Sequence, residues 1–201
     1  MHDAAGNGTT LPRPGDEANT LTCAYDAWNR LVEVKIGATT IERNEYDGLN
    51  RRVVKQFDSA APADPDGLDA YRHYYYNSAW QILETRKSDS AATAPQTLQP
   101  EWQYVWSPRY LDAAVLRDRN ADADDLCDDE RLYYCNDANM NVTTLIDANG
   151  DAVERYAYDA YGQPTVYDGT WSNTRSASSY DNEILYCGYV FDWPTRLYHV
   201  R

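Results

Sequence analysis

The residues best spaced for chemistry in this chain are acidic. Asp118, Asn120, Asp122, Asp124 and Asp129 stand at positions 1, 3, 5, 7 and 12 of one stretch. Oxygen side chains at that spacing can wrap Ca²⁺, a hard cation that takes six to eight oxygen ligands. Position 6, where such loops carry glycine for a sharp turn, is Ala123, and no helical pattern flanks the stretch. A solvated acidic loop accounts for the same residues. Asp58 to Asp69 is a weaker version of the spacing. Calcium is the one cofactor the sequence suggests.

Other chemistry is sparse. A hydrolytic triad needs a nucleophile, a base and an orienting acid, and the chain has no G-x-S-x-G motif and no glycine-rich phosphate loop. Two carboxylates suffice for a glycosidase, but among 32 acidic residues no pair is singled out. The expectation is that no residue is catalytic. Six tryptophans offer flat faces on which sugars stack. Trp28 and Trp80 lie inside a repeated phrase and read as structural. Trp102, Trp106 and Trp171 are freer, so a carbohydrate-binding or adhesion surface is an alternative reading.

Charge narrows the partners. With 18 basic and 32 acidic residues the net charge is −14, which repels nucleic acid and anionic membranes alike. No apolar run is long enough to span a bilayer as a helix, and the first residues do not read as a signal peptide. Cys23, Cys127, Cys135 and Cys187 form no C-x-x-C pair. Free cysteines acting as small apolar residues fit best, and sequence does not choose among the pairings that would compete.

The elements that must position these residues are repeated. One phrase recurs from positions 2, 25, 46, 76, 136 and 158, with gaps of 23, 21, 30, 60 and 22. Its clearest copies begin Tyr25-Asp26, Tyr46-Asp47 and Tyr158-Asp159-Ala160-Tyr161-Gly162. A period of 20 to 30 residues marks a repeat architecture. Asp and Asn close turns through their own side chains, and Gly or Asn tolerates positive φ. Each phrase therefore predicts a hairpin connection, the aromatic ending one strand and an aliphatic beginning the next. Tyr25, Asp26, Tyr46, Asp47, Tyr158, Asp159 and Gly162 are the residues expected to hold that geometry.

The flanks agree. In Leu31-Val32-Glu33-Val34-Lys35-Ile36 the aliphatic and charged residues alternate, the period of a strand covered on one face. Gly37-Ala38 and Asn149-Gly150 supply second turns. Ser59 to Asp69, Lys87 to Pro100 and Gly169 to Asp181 read as inserted exposed loops. The 60-residue gap predicts a degenerate unit between Trp102 and Asp112. The expected fold is all-β: repeated short antiparallel hairpins forming a curved open sheet, with no convincing helix. The array is expected over residues 1–165, with residues 166–201 a loop and a further segment.

These phrases resemble the YD repeats of the RHS (rearrangement hotspot) family over nearly the whole chain. The best parts are Tyr25 to Val32, Tyr46 to Val54 and Leu132 to Thr165. Gly188-Tyr189-Val190-Phe191-Asp192-Trp193-Pro194 through Arg201 is similar to the opening of the RHS-associated core. The resemblance implies a β-shell, secreted or at the cell surface, that encloses or presents a polypeptide effector or toxin. It implies as partners the remainder of the shell and its cargo. It also implies that the family's self-cleaving aspartates lie downstream of the residues present, and that this is a fragment of a larger protein.

Overall fold

A computed structural model describes residues 1–59, 68–88 and 98–200. Parts of two loops expected from the sequence, and of the weaker Asp58–Asp69 calcium spacing, lie outside the described residues.

Among the described residues, fourteen strands follow one another in a single antiparallel sheet in chain order, with no crossover. They are β1 Thr10–Arg13, β2 Asp16–Tyr25, β3 Leu31–Ile36, β4 Thr39–Tyr46, β5 Arg52–Phe57, β6 Ala70–Tyr76 and β7 Ile82–Ser88. Next come β8 Pro100–Trp106, β9 Ala114–Arg119, β10 Glu130–Asn136, β11 Val142–Ile146, β12 Ala152–Tyr158, β13 Pro164–Asp168 and β14 Thr174–Arg175. A separate hairpin joins β15 Val190–Asp192 to β16 Leu197–His199. The only helical element among the described residues is a 3-10 turn at Tyr186–Gly188, and no helix is long and apolar enough to cross a membrane.

The chain divides into two compact units. The first comprises Met1–Tyr75 with Arg86–Leu98 and Pro194–Arg196; the second comprises Tyr76–Thr85, Gln99–Trp193 and Leu197–Arg201.

In the first unit the expected alternation holds on β3. Val34 is fully buried, while Glu33 pairs with Lys35 and Arg43 on the other face. The buried face is not purely apolar further along. Beside Leu21, Cys23 and Val34 it buries Glu42, Asn44, Arg52, Lys55 and Arg72. Glu42 Oε1 accepts the Asn44 amide at 2.8 Å and lies 3.8 Å from the Arg52 guanidinium. A buried charge is tolerable only when paired and hydrogen-bonded.

In the second unit the registers put Tyr104, Arg117 and Leu132 in one cross-strand row and Tyr134, Leu145 and Glu154 in another. All six are buried, as are Trp102, Tyr156 and Val166. The alternate residues Val105 and Tyr133 face outward and are exposed. Burying one face of a strand fixes its register, because a one-residue slip would invert every side chain.

Candidate functional site

Two structures built from the chain's own side chains organise the described residues: a series of side-chain-capped turns and a strap over one sheet face.

The turns share one construction. In each, a side-chain Oδ1 accepts the backbone N–H groups of the residues two and four further on. It is made by Asp3, Asp26, Asp47, Asn77, Asp137, Asp147, Asp159 and Asp168. The residue three further on has positive φ: Gly6, Asn29, Asn50, Trp80, Met140, Gly150, Gly162 and Trp171. This is a type I turn closed by a left-handed residue, matched to the twist of the flanking strands. Six of these turns coincide with the six phrases. The caps at Asp147 and Asp168 are additions that the phrase does not identify. Asp147 follows Ile146 rather than tyrosine, while Tyr167-Asp168 is a legible signal. The degenerate unit is Trp106-Ser107, where Ser107 Oγ accepts Arg109 N–H at 3.2 Å.

Three phrase tyrosines bind the turn of the preceding phrase. Tyr25 donates to Gly8 O at 3.1 Å, Tyr46 to Leu31 O at 2.9 Å, and Tyr158 to Val142 O at 2.6 Å. Trp106 does the same through its indole N–H, to Ile82 O at 2.7 Å. Each acceptor lies five residues after a capping Asp or Asn. Burial pushes the Tyr158 phenol far above its ordinary value, so it stays a donor. Gly162 combines φ +84° with a ring of Tyr186 2.9 Å from where a Cβ would sit, so only glycine fits.

At Asp47, partial burial pushes the carboxyl up, but the Arg51 N–H, the Arg51 guanidinium and the Leu49 N–H outweigh it, so the group sits below the ordinary carboxylate range. Asn77 holds the same turn without a charge, its Nδ2 donating to Gln81 Oε1 at 2.7 Å. Asp47→Ala should therefore lower unfolding free energy by ~1 kcal/mol, and Asp47→Asn by less. A folded-state pKa held low contributes stability above the unfolded value of about 3.9 and loses it as pH falls through the folded value. The gap between wild type and Asp47→Asn in urea midpoints should thus be present at pH 7 and close below about pH 4. A gap that widened in acid would contradict this. Met140 occupies a left-handed position, φ 61°, that glycine or asparagine fills in most other copies. Met140→Gly is expected to raise stability by up to ~1 kcal/mol, measurable as a higher urea midpoint.

The strap follows β14. The segment 169–181 was expected to be an exposed loop; most of it is, but its end is pinned to the sheet. Glu154 is fully buried, and its two oxygens accept four donors: the Tyr156 and Ser178 hydroxyls, Ser179 N–H at 2.8 Å and Arg175 Nη1 at 2.9 Å. Asn182, also fully buried, accepts Tyr134 O–H at 3.0 Å and donates to Tyr156 Oη at 3.1 Å and Ile184 O at 3.0 Å. Burial pushes the Tyr134 phenol up to about 12, which keeps it protonated as a donor. Arg117 donates to Tyr180 O at 2.6 Å and Asp181 O at 3.3 Å, its guanidinium 4.7 Å from the Trp102 ring centroid. Ile184, Leu185 and Phe191 complete the cover as buried apolar residues. Gly188, with φ +71°, lies so close to Asp112 that a Cβ would meet its carbonyl oxygen at 1.8 Å. None of the strap network is singled out by the sequence; its polar residues carry no periodic signal.

The acidic loop is laced by hydrogen bonds and ion pairs of its own residues. Asp118 is bidentate to Arg131 at 2.7 and 2.8 Å. Asp129 Oδ2 accepts Ala121 and Asp122 N–H, Asn120 Oδ1 accepts Ala123 N–H, and Asp124 accepts Leu126 N–H. Desolvation and the neighbouring Asp124 and Asp129 raise the Asp122 carboxyl above its usual range. Among the described residues no three His, Cys, Asp or Glu side chains converge as a metal site. The four cysteines are unpaired.

The tryptophans sort by burial. Trp102, expected as a freer surface platform, is 1% exposed. Its strand turns it inward, in the same face as Tyr104, under Arg117. Trp171 is half exposed, 4.9 Å from Tyr167, and Trp28 is exposed beside Arg30.

No family model matches the chain. It is 32% identical over 71 residues to the tRNA(Glu)-specific nuclease WapA of Bacillus subtilis subsp. natto, and 31% identical over 71 residues to the tRNA nuclease WapA of Bacillus subtilis strain 168. Either match takes in 35% of this chain and 3% of the relative. Solved structures match over far more of it. A chain of the Photorhabdus luminescens Tc holotoxin pore, with a mutated TccC3, superposes on 99% of this chain with a TM-score of 0.67 at 18% identity. A chain of the TcdB2–TccC3–Cdc42 complex covers 98% with a TM-score of 0.62 at 17% identity. This chain spans 8% and 9% of those chains. The likeness establishes a shared fold: an antiparallel meander of the kind found in these toxin chains.

Proposed function

We propose that this chain is a length of wall in an RHS/YD-repeat shell that encloses or presents a polypeptide effector. The observation that carries the reading is the superposition of 99% of the chain on a Tc holotoxin chain. The capped turns support it. They recur along the sheet, and Tyr25, Tyr46, Trp106 and Tyr158 are each fastened to an earlier capped turn, which is how nearest-neighbour contacts propagate a repeat array. The contribution of these residues is structural rather than catalytic: the buried polar groups described above hold strands and strap.

The test uses the complete gene product containing these residues. Brief trypsin digestion of the native protein, read by mass spectrometry, should leave a polypeptide outside the wall sequence intact. The same polypeptide should be cut once denaturant opens the wall. Cutting at equal rates with and without denaturant would overturn enclosure.

A further inference from the structure

In five capped turns the side chain four residues after the cap, that of Asn7, Arg30, Arg51, Gln81 or Asn141, binds the capping side chain, and in three of them it also reaches outward. Arg30 shows both contacts. Its Nε and Nη2 bind Asp26 Oδ2, each at 2.6 Å, closing its own turn. Its Nη1 donates to Asp47 O, 3.1 Å away, the backbone carbonyl that opens the next phrase turn. The guanidinium lies 5.2 Å from the Tyr46 ring centroid, and Tyr46 in turn donates to Leu31 O beside Arg30. Gln81 repeats the pattern with uncharged groups. Its Oε1 accepts Asn77 Nδ2 at 2.7 Å, and its Nε2 donates to Leu111 O at 2.9 Å, in the following connection. Asn141 follows suit, donating to Asp137 Oδ2 and accepting Cys187 N–H from the strap.

We propose that Arg30 is a positioning residue that couples consecutive phrase turns, and that the fourth position after the cap, as in Gln81, is where this repeat encodes turn-to-turn registration. The inference concerns how the repeats are joined and does not depend on the encapsulation reading. Chemistry favours the guanidinium for the task. Its planar fork presents donors along two directions at once, so one group can serve a carboxylate and a carbonyl. A lysine ammonium is a point charge on a flexible stem. It can replace the contact to Asp26 but not hold both acceptors in fixed geometry.

Two amides separate this proposal from a purely local role. Asn29 N–H donates to Asp26 O within Arg30's own turn, and Asn50 N–H donates to Asp47 O, the carbonyl Arg30 reaches across to bind. Native-state hydrogen exchange on the 201-residue chain would compare wild type with Arg30→Lys and Arg30→Met. In Arg30→Lys, Asn29 should keep its protection while Asn50 loses roughly tenfold, the effect of one charge-assisted hydrogen bond. In Arg30→Met both should fall. Gly162 N–H, in a turn Arg30 does not touch, is the reference. Unchanged protection at Asn50 in both variants, or an equal fall at Asn50 and Gly162, would overturn the coupling and leave Arg30 a brace of its own turn or of the fold at large.

Discussion

Glu154→Gln is expected to lower the stability of the chain by about 3 kcal/mol, although it changes one atom. The carboxylate accepts from Tyr156, Ser178, Ser179 and Arg175 with no solvent access. An ionised carboxylate is acceptor-only, whereas an amide brings an NH₂. Turned toward Ser179 and Arg175, the introduced NH₂ faces obligate donors; turned toward Tyr156 and Ser178, it forces those hydroxyls out of their donor role; and in either case the Arg175 guanidinium loses a charged partner. The measurement is urea unfolding followed by circular dichroism. Arg175→Met is the companion variant. Arg175 is 31% exposed and can turn to water, so its loss should cost less. Equal midpoints for wild type and Glu154→Gln would mean the strap is held by its apolar residues alone.

Trp102→Ala should have the largest effect, ~4 kcal/mol, the usual range for emptying a buried aromatic site. Trp102 is among the largest side chains buried below 2% exposure, and its ring carries the Arg117 guanidinium. Truncation would remove the apolar contacts and the stacking surface of a buried cation that also binds Tyr180 O and Asp181 O. Trp102→Phe should recover a good part of the loss. A glycan platform would behave in the opposite way, with binding lost and the melting midpoint unmoved. Trp171, half exposed, is the residue at which a sugar-binding role remains a direct measurement.

The division between what was legible and what was not follows from the range of the interactions. Asp26, Asp47 and Asp159 could be read as turn caps because each turn is closed by atoms at most four residues apart. The Trp106-Ser107 unit fell within the predicted stretch because a period constrains where a missing copy must lie. The Asp147 cap carries no aromatic mark, because Ile146 precedes it. The turn needs only the acceptor and a tolerated left-handed residue; the tyrosine serves the neighbouring turn instead. Arg52 and Lys55, charged residues of β5, are both only 2% exposed. Nothing within β5 distinguishes a charged residue facing water from one facing partners.

Local chemistry thus determined the all-β class, the hairpin pitch and the caps, because alternation and side-chain-to-backbone bonds are written in neighbouring residues. Tertiary structure alone decided which sheet face is closed. Glu154 and Asn182 acquire their roles from Ser178, Tyr134 and Tyr156, residues 24 to 48 positions away in the chain. A buried polar group is tolerated only where all its partners arrive together, and that convergence is a property of the folded chain.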